Sequence, residues 1–273
     1  MNEVLVTGRT LPEAYHTAIA ALAEQGEILS ASDWNQSQKE ISATFVALEP
    51  LHEPMVSKLY IGGFRELQQY MMEILDGILD FKVGDGWDYT YHDRMANFPL
   101  YTMETMVENE ASTGRLIAQP FNQIDFVIQE LKRQPDSRRA VIAVRDNSAD
   151  PFSSDPACLQ HIQFMIRNQR LHAKVLMRSN DATKAAFMNA FAFVMLQKRI
   201  ADTLQVEVGS YTHRANSFHA YERDYKLLKQ YAEAIKTRPG DELCYAYEPD
   251  FKELMEESIP AILEMVDGLR SEK

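Results

Sequence analysis

The stretch from Pro135 to Tyr221 constrains this chain more than any other. Two apolar-rich runs meet at Arg167-Asn168-Gln169-Arg170, a pattern that predicts a β-hairpin turning near Asn168-Gln169. Antiparallel pairing about that turn sets residues whose numbers total about 337 opposite one another. Cys158 then faces Ser179 and lies next to Arg178. A free thiol, with a pKa of about 8.5, is only slightly ionised at neutral pH, and a neighbouring guanidinium raises the thiolate fraction. These are the requirements of a nucleophilic cysteine. The competing reading is a small buried hydrophobe, the fate of most free cysteines.

The flanking elements follow from hydrophobic period and capping signals. Val4-Leu5-Val6 is a short strand. Thr10-Leu11-Pro12-Glu13 reads as a capping box opening a helix to about Glu24. Residues 27–39 are polar and turn-like, and Ile41 to Leu48 is a strand. Phe64 to Phe81 is helical, with Phe64, Leu67, Tyr70, Met71, Ile74, Leu75 and Ile78 in one apolar stripe. Val83 to Tyr91 is an aromatic-rich loop. Residues 94–119 are least readable and are expected to be an insertion covering something. Gln123 to Arg133 is a helix, Ala140 to Val144 a buried strand, and Asp146 to Pro156 a loop. Ala185 to Leu204 is a long apolar helix, followed by strand from Val206 to Tyr221 and helix from Glu222 to Ile235. A strand over Glu242 to Tyr247 and a helix over Phe251 to Leu269 complete the chain. One α/β (α+β) domain spanning 1–273 accounts for this order without repeats or linkers.

Composition narrows the function classes. A formal net charge of −12 argues against a nucleic-acid or anionic-membrane surface. It leaves room for a small anionic ligand, because clustered arginines act at short range. No apolar run approaches the roughly 20 residues that cross a bilayer. The start, Met1-Asn2-Glu3-Val4-Leu5-Val6, carries no basic-then-apolar leader. The chain has 2 cysteines, which suggests no disulfide framework, so the expected compartment is the cytoplasm. No His, Cys or carboxylate spacing points to a metal.

Four further groups could carry chemistry. Arg138-Arg139 lies between a helix end and a strand; with Arg178 it would form a phosphate site, or else sit as solvated charge. His219 and Tyr221 lie two apart on an extended segment and so face one ligand together, or have ordinary partners in a half-buried strand. His213-Arg214 is a weaker signal of the same kind. Asn189 is an amide inside an apolar helix, where it either bonds backbone or reads a polar ring edge. Asp181 and Glu66 are carboxylates in apolar surroundings, each a helix cap or a functional acid.

Taken in order, Pro135-Asp136-Ser137-Arg138-Arg139, Cys158, Gln163-Phe164, Arg178-Ser179-x-Asp181, Asn189 and His219-x-Tyr221 resemble thymidylate synthase. The spacings agree: twenty residues from Arg138 to Cys158, twenty from Cys158 to Arg178, eleven from Arg178 to Asn189. Asp88-Tyr89-Thr90-Tyr91 and Arg65-Glu66-Leu67 extend the likeness, and Cys-Leu-Gln, Arg-Ser-Asn-Asp and Gly-Ser-Tyr-Thr-His look like the divergent, archaeal-type branch. The resemblance implies a three-layer fold whose large mixed sheet packs against its twin in a homodimer. It implies conversion of dUMP to dTMP with 5,10-methylenetetrahydrofolate or a related pterin as co-substrate, and no metal. By the same resemblance Cys158 adds to C6, Asn189 reads the O4/N3 edge, and Glu66 organises water and proton transfers. Tyr91 serves the proton relay, and Gln163 joins the substrate-binding set. Arg178 and Ser179 hold phosphate, His219 and Tyr221 the 3′-hydroxyl, and Asp181 the pterin. Arg138 and Arg139 reach the partner's phosphate site.

Three departures accompany the likeness. Leu159 stands where the family usually has histidine; residues 27–39 contain no arginine for the phosphate loop; and the sequence closes on Arg270-Ser271-Glu272-Lys273, without a short apolar tail. The alternatives implied are a pyrimidine-nucleotide 5-hydroxymethylase, whose relatives share Arg-Ser-Asn-Asp, and a non-catalytic nucleotide-binding protein. Cytosine-reading relatives carry aspartate at the position of Asn189, so asparagine points to uracil.

Overall fold

The computed structural model describes residues 1–32, 35–108 and 111–271, and their side chains except those of 103–116 and 250. A mixed seven-stranded sheet organises it, in the order β1 (Glu3–Gly8), β3 (Gln36–Ala47), β10 (Glu207–Tyr221), β9 (Arg170–Asp181), β8 (Leu159–Arg167), β7 (Val141–Ala143), with β2 (Glu27–Ala31) paired to the first half of β3. β1–β3 and β9–β10 pair in parallel and the other pairs are antiparallel.

One sheet face carries Phe45, Leu159, Ile162, Phe164, Val175, Met177 and Tyr211, all buried. Helices α1 (Leu11–Gln25), α4 (Gln123–Arg133) and α5 (Ala186–Leu204) cover it. α5 is apolar around most of its circumference because it lies between the sheet and an outer layer that includes α2 (Phe64–Asp76). Burying each of its phenylalanines, Phe187, Phe191 and Phe193, contributes roughly 1.5–3 kcal/mol. The opposite face carries Gln163, Lys174, His172 and Arg214. Arg214 reaches across to Ser42, Thr44 and Glu3, and Leu5 at the edge is 72% exposed. That face has no covering layer among the described residues of this chain.

The hairpin turns where the sequence predicts. Asn168 and Gln169 have φ of 50° and 60°, the left-handed pair of a two-residue turn that matches strand twist. Pairs totalling 337 run from Arg167–Arg170 to His161–Leu176. A bulge at Gln160 then moves the register by one, so Leu159 faces Met177. Cys158 therefore faces Arg178, whose N–H donates to the Cys158 carbonyl at 2.8 Å, and not Ser179 as the uninterrupted pairing predicts. The cause lies on the other edge: the Gln160 carbonyl accepts from the N–H groups of Val144 and Arg145 at 2.9 and 3.2 Å, and its side chain donates to Ala157 O at 2.8 Å.

Other expectations shift for local reasons. Residues read as turn-like between 27 and 39 form the β2–β3 hairpin, of which 33–34 lie outside the described residues. The helix predicted from Phe64 to Phe81 stops at Asp76, because Gly77 adopts φ 62° and a Cβ there would meet His92 Nδ1 at 2.2 Å and Asp80 Oδ2 at 2.3 Å. Residues 94–119 contain the end of α3 (Tyr91–Ala96) and most of a two-stranded ribbon, β5 (Phe98–Glu108) with β6 (Ala111–Phe121). What the side chains of 103–116 cover lies outside the described residues. The strand expected at 242–247 is reduced to β11 (Cys244–Tyr245), paired with β4 (Val56–Ser57). The last helix is broken at Ser258 into α7 (Lys252–Glu257) and α8 (Ile259–Ser271). A helix α6 (Tyr225–Thr237) packs beside α1. No helix among the described residues is long and apolar enough to cross a membrane.

Candidate active site

Cys158 sits at the entrance to β8, half-buried, at the end of the loop that leaves β7. Arg94 fixes the start of that loop. It is 5% exposed and its guanidinium lies 3.0 Å from both Asp146 and Asp150. Gln123 ties the same corner, donating to the carbonyls of Arg94 and Ala143 at 2.9 and 2.6 Å. Arg178 fixes the loop's end: Nε donates to Ala157 O at 3.1 Å and Nη2 to Pro156 O at 2.5 Å. Burial pushes the Cys158 thiol up; the Arg178 charge opposes this, Asp155 adds to it, and the net direction is upward. The guanidinium thus acts in the direction expected from sequence, but burial outweighs it and the resting group is a thiol.

Four tyrosines feel the field of the thiol. The ionisation of Tyr70, Tyr89, Tyr91 and Tyr221 is opposed by burial first, and the field of Cys158 adds to each. All four therefore carry neutral phenols at neutral pH. Tyr91 accepts the Leu159 N–H at 3.3 Å, and its ring lies 5.8 Å from that of Tyr89. Leu159 itself is fully buried against Met177, a packing role. Asn189, on the first turn of α5, is 5% exposed and accepts a short hydrogen bond from the Tyr70 hydroxyl. A cleft of about 590 Å³ opens beside this group, walled by Tyr70, Glu73, Trp87, Tyr89, Tyr91 and Asp155.

His219 and Tyr221 do come together, with ring centroids 4.7 Å apart. His219 Nδ1 lies 3.2 Å from Ser217 Oγ, which donates to Glu40 at 2.5 Å, while Nε2 is sealed from solvent without a hydrogen-bond partner among the described residues. Burial pushes the imidazole down, with Asp181 and Glu40 opposing, so the neutral ring is favoured. Ser179 stands opposite Ser217 and Asp181 opposite His219. One Asp181 oxygen accepts from Thr183 N, Thr183 Oγ1 and Lys184 N, which organises the turn into α5. His213 belongs to the core: it is bonded to Tyr211 and Asn180, stacked on Phe45 at 4.6 Å, and driven down to about 3 by burial.

Four predicted residues lie elsewhere. Arg138 and Arg139 are exposed beside Arg167 near the hairpin turn, where Arg139 pairs with Glu130 at 3.1 Å. Gln163 is with them, donating to the Arg138 carbonyl at 3.0 Å. Glu66 is exposed and accepts the Gly63 N–H at 2.9 Å at the start of α2. It caps a helix, and the position against Asn189 belongs to Tyr70, one turn on. Sequence reasoning placed Tyr70 in an apolar stripe, gave Tyr89 no role of its own, and passed over Glu73, Asp155 and Glu40. A signal for Tyr70 existed: a tyrosine on a buried stripe needs a partner for its hydroxyl. Among the described residues no three His, Cys, Asp or Glu side chains are placed to hold a metal ion.

The sequence profile of thymidylate synthase matches residues 64–256. The chain belongs to the thymidylate synthase family. A putative thymidylate synthase of Methanocaldococcus jannaschii is 32% identical over 230 residues, covering 81% of this chain and 93% of that protein. A thymidylate synthase of Bacillus subtilis subsp. natto is 30% identical over 144 residues, covering 52% of this chain and 50% of its own. Among solved structures, thermostable thymidylate synthase A from Bacillus subtilis superimposes with a TM-score of 0.61 at 19% identity, over 82% of this chain and 84% of that one, a likeness of fold. The mixed α/β fold with a large mixed sheet is thus that of the family.

Proposed function

We propose that this chain methylates dUMP at C5 to give dTMP, with 5,10-methylenetetrahydrofolate or a related pterin as co-substrate. The observation that carries the reading is the Cys158 thiol opposite Arg178, with the Tyr91 hydroxyl bonded to the next backbone N–H and an amide of matching chemistry at Asn189. Uracil C5 is a poor nucleophile. Sulfur addition to C6 turns it into an enolate carbon able to attack a one-carbon unit, a covalent route that splits one hard step into easier ones. Negative charge moves to O4 as the sulfur adds, and a preorganised N–H at that oxygen stabilises it; Asn189 fits that task. Because burial holds the thiol protonated, Cys158 must lose its proton when substrate arrives, and the Arg178 charge favours that ionisation. In this reading Tyr91 holds or passes the proton that leaves C5; its hydroxyl on the Leu159 N–H, next to Cys158 in the chain, supports that role. Once the methyl group is complete, the bond from Cys158 to C6 breaks and the thiolate leaves.

Arg178 and Ser179 suit the nucleotide phosphate, completed by Arg138 and Arg139 of a second copy, since in this chain those two arginines lie away from Cys158 at the uncovered sheet face. His219 and Tyr221 suit the 3′-hydroxyl: the unpartnered, buried Nε2 of His219 costs energy until a ligand hydroxyl meets it. Glu66 has no part in this reading. The co-substrate supplies the carbon and the hydride. Trp87, Tyr89 and Ile74 offer apolar and aromatic walls for a planar heterocycle, and the family likeness assigns its polar edge to Asp181.

Mass spectrometry of the product from dUMP and methylenetetrahydrofolate tests the reading. dTMP with one dihydrofolate per turnover is expected. A product heavier than dTMP by one oxygen would assign the chain to the hydroxymethylases, and no product at all would sink both.

A further inference from the structure

Asn189 can read a pyrimidine in two ways. Its amide either donates to a carbonyl at C4 while accepting from N3–H, as uracil requires, or turns over and serves the 4-amino group and bare N3 of cytosine. An amide's chemistry permits both, so what holds it in the uracil-reading orientation decides the substrate.

Tyr70 closes it. Its hydroxyl donates to Asn189 Oδ1, linking the second turn of α2 to the first turn of α5, two helices packed together. Asn189 Nδ2 has no hydrogen-bond partner among the described residues and is not sealed from solvent, so it is available to a ligand. Turning the amide over would aim Nδ2 at the phenol oxygen. The phenol hydrogen would then need another acceptor, and none bonds it among the described residues. Burial, followed by the fields of Glu73, Tyr89 and Cys158, holds this phenol far above its ordinary pKa, so the hydrogen stays in place. Turning the amide over would give up the bond from the phenol to Oδ1, and the bonded orientation is therefore the one populated.

We propose that Tyr70 is a positioning residue for base specificity: by donating to Asn189 Oδ1 it holds the amide with Nδ2 outward, and so makes the site accept uracil and reject cytosine. This rests on reading the site as a pyrimidine-nucleotide site. With Nδ2 outward, uracil O4 accepts from it, and the second lone pair of Oδ1 takes N3–H. Cytosine presents an amino group to Nδ2 and a lone pair to Oδ1, a mismatch at both positions. Without the phenol hydroxyl the amide is free to turn over, and the penalty on cytosine falls.

Calorimetric titration of the full chain with dUMP and with dCMP tests this, using the wild type, Tyr70→Phe, Asn189→Ala and the double variant. The wild type should prefer dUMP. Tyr70→Phe should lose roughly tenfold to a hundredfold of that preference, mostly through tighter dCMP binding. In the Asn189→Ala background the same substitution should change the preference no further, since its effect runs through the amide. An unchanged preference in Tyr70→Phe, or equal weakening of both nucleotides, overturns the inference and leaves the site reading standing. A wild type that binds neither nucleotide overturns both. Circular dichroism and thermal melting of each variant separate a folding defect from a change in preference, and Asn189→Gln, with the amide carried on a longer stem, gives a second measure of the preference if Tyr70→Phe does not fold.

Discussion

The loop that delivers Cys158 depends on one buried cation, and Arg94→Met isolates it. Arg94 is 5% exposed, Asp146 7% and Asp150 2%, with both ion pairs at 3.0 Å. Methionine fills similar volume but leaves two carboxylates facing each other in a dry corner. Removing one member of a buried ion network costs about 3–5 kcal/mol, because the remaining charge is desolvated and uncompensated. With a urea m value of about 3 kcal/mol/M for a chain of this size, the midpoint should drop by about 1–1.7 M at fixed protein concentration. The pH dependence is a second signature. Burial pushes the Asp146 carboxyl up, but bonds from Ser148 and then the Arg94 charge outweigh it, so it lies below its ordinary value. A depressed folded pKa contributes stability that is present above the unfolded value and is lost as pH falls through the folded one. Without Arg94 part of that depression disappears, so the variant loses less on acidification. The gap between variant and parent should narrow from about pH 5 downward. Urea titrations at pH 7 and pH 4.5 measure both effects. A midpoint within about 0.2 M of the parent, well under the drop expected from the buried-pair cost, or a gap that widens in acid, would refute the electrostatic account.

Other outcomes are open to direct measurement. In a Cys244→Ser background, Arg178→Met should slow alkylation of Cys158 by iodoacetamide near neutral pH and move its pH profile to higher values, because the one influence lowering that thiol's pKa is gone; an unmoved profile counts against the pairing. Gln205 ends α5 with φ 57°, so Gln205→Gly should stabilise the chain by about 0.5–1 kcal/mol in urea titrations, and a lower midpoint would contradict this. If Arg138 and Arg139 act across a dimer, mixing inactive Cys158→Ser with inactive Arg138→Ala/Arg139→Ala should restore about a quarter of wild-type activity, since half the dimers then hold one intact site of two. No restoration would place those arginines outside the partner's site.

Local chemistry was written plainly in the sequence. The hairpin turn at Asn168-Gln169, the helix Gln123–Arg133 and the long apolar α5 follow from turn propensity, period and capping, which act within a few residues. The ordered set from Arg138 to Tyr221 likewise pointed to the family, because residue types at fixed spacings survive in the linear chain. What failed depended on neighbours distant in sequence. Cys158 faces Arg178 instead of Ser179 because Gln160 bonds across to Val144 and Arg145, and no pairing arithmetic within β8 and β9 contains that bond. The state of the thiol was decided by how deeply the loop is buried, which outweighs the guanidinium that the sequence pointed to. The sequence also did not show that Tyr70 meets Asn189 while Glu66, one turn earlier, caps the helix, because that depends on how α2 packs on α5. A sequence carries backbone preferences and residue chemistry; which side chains share a dry pocket, and which charge prevails there, is set only when separate elements pack and exclude water.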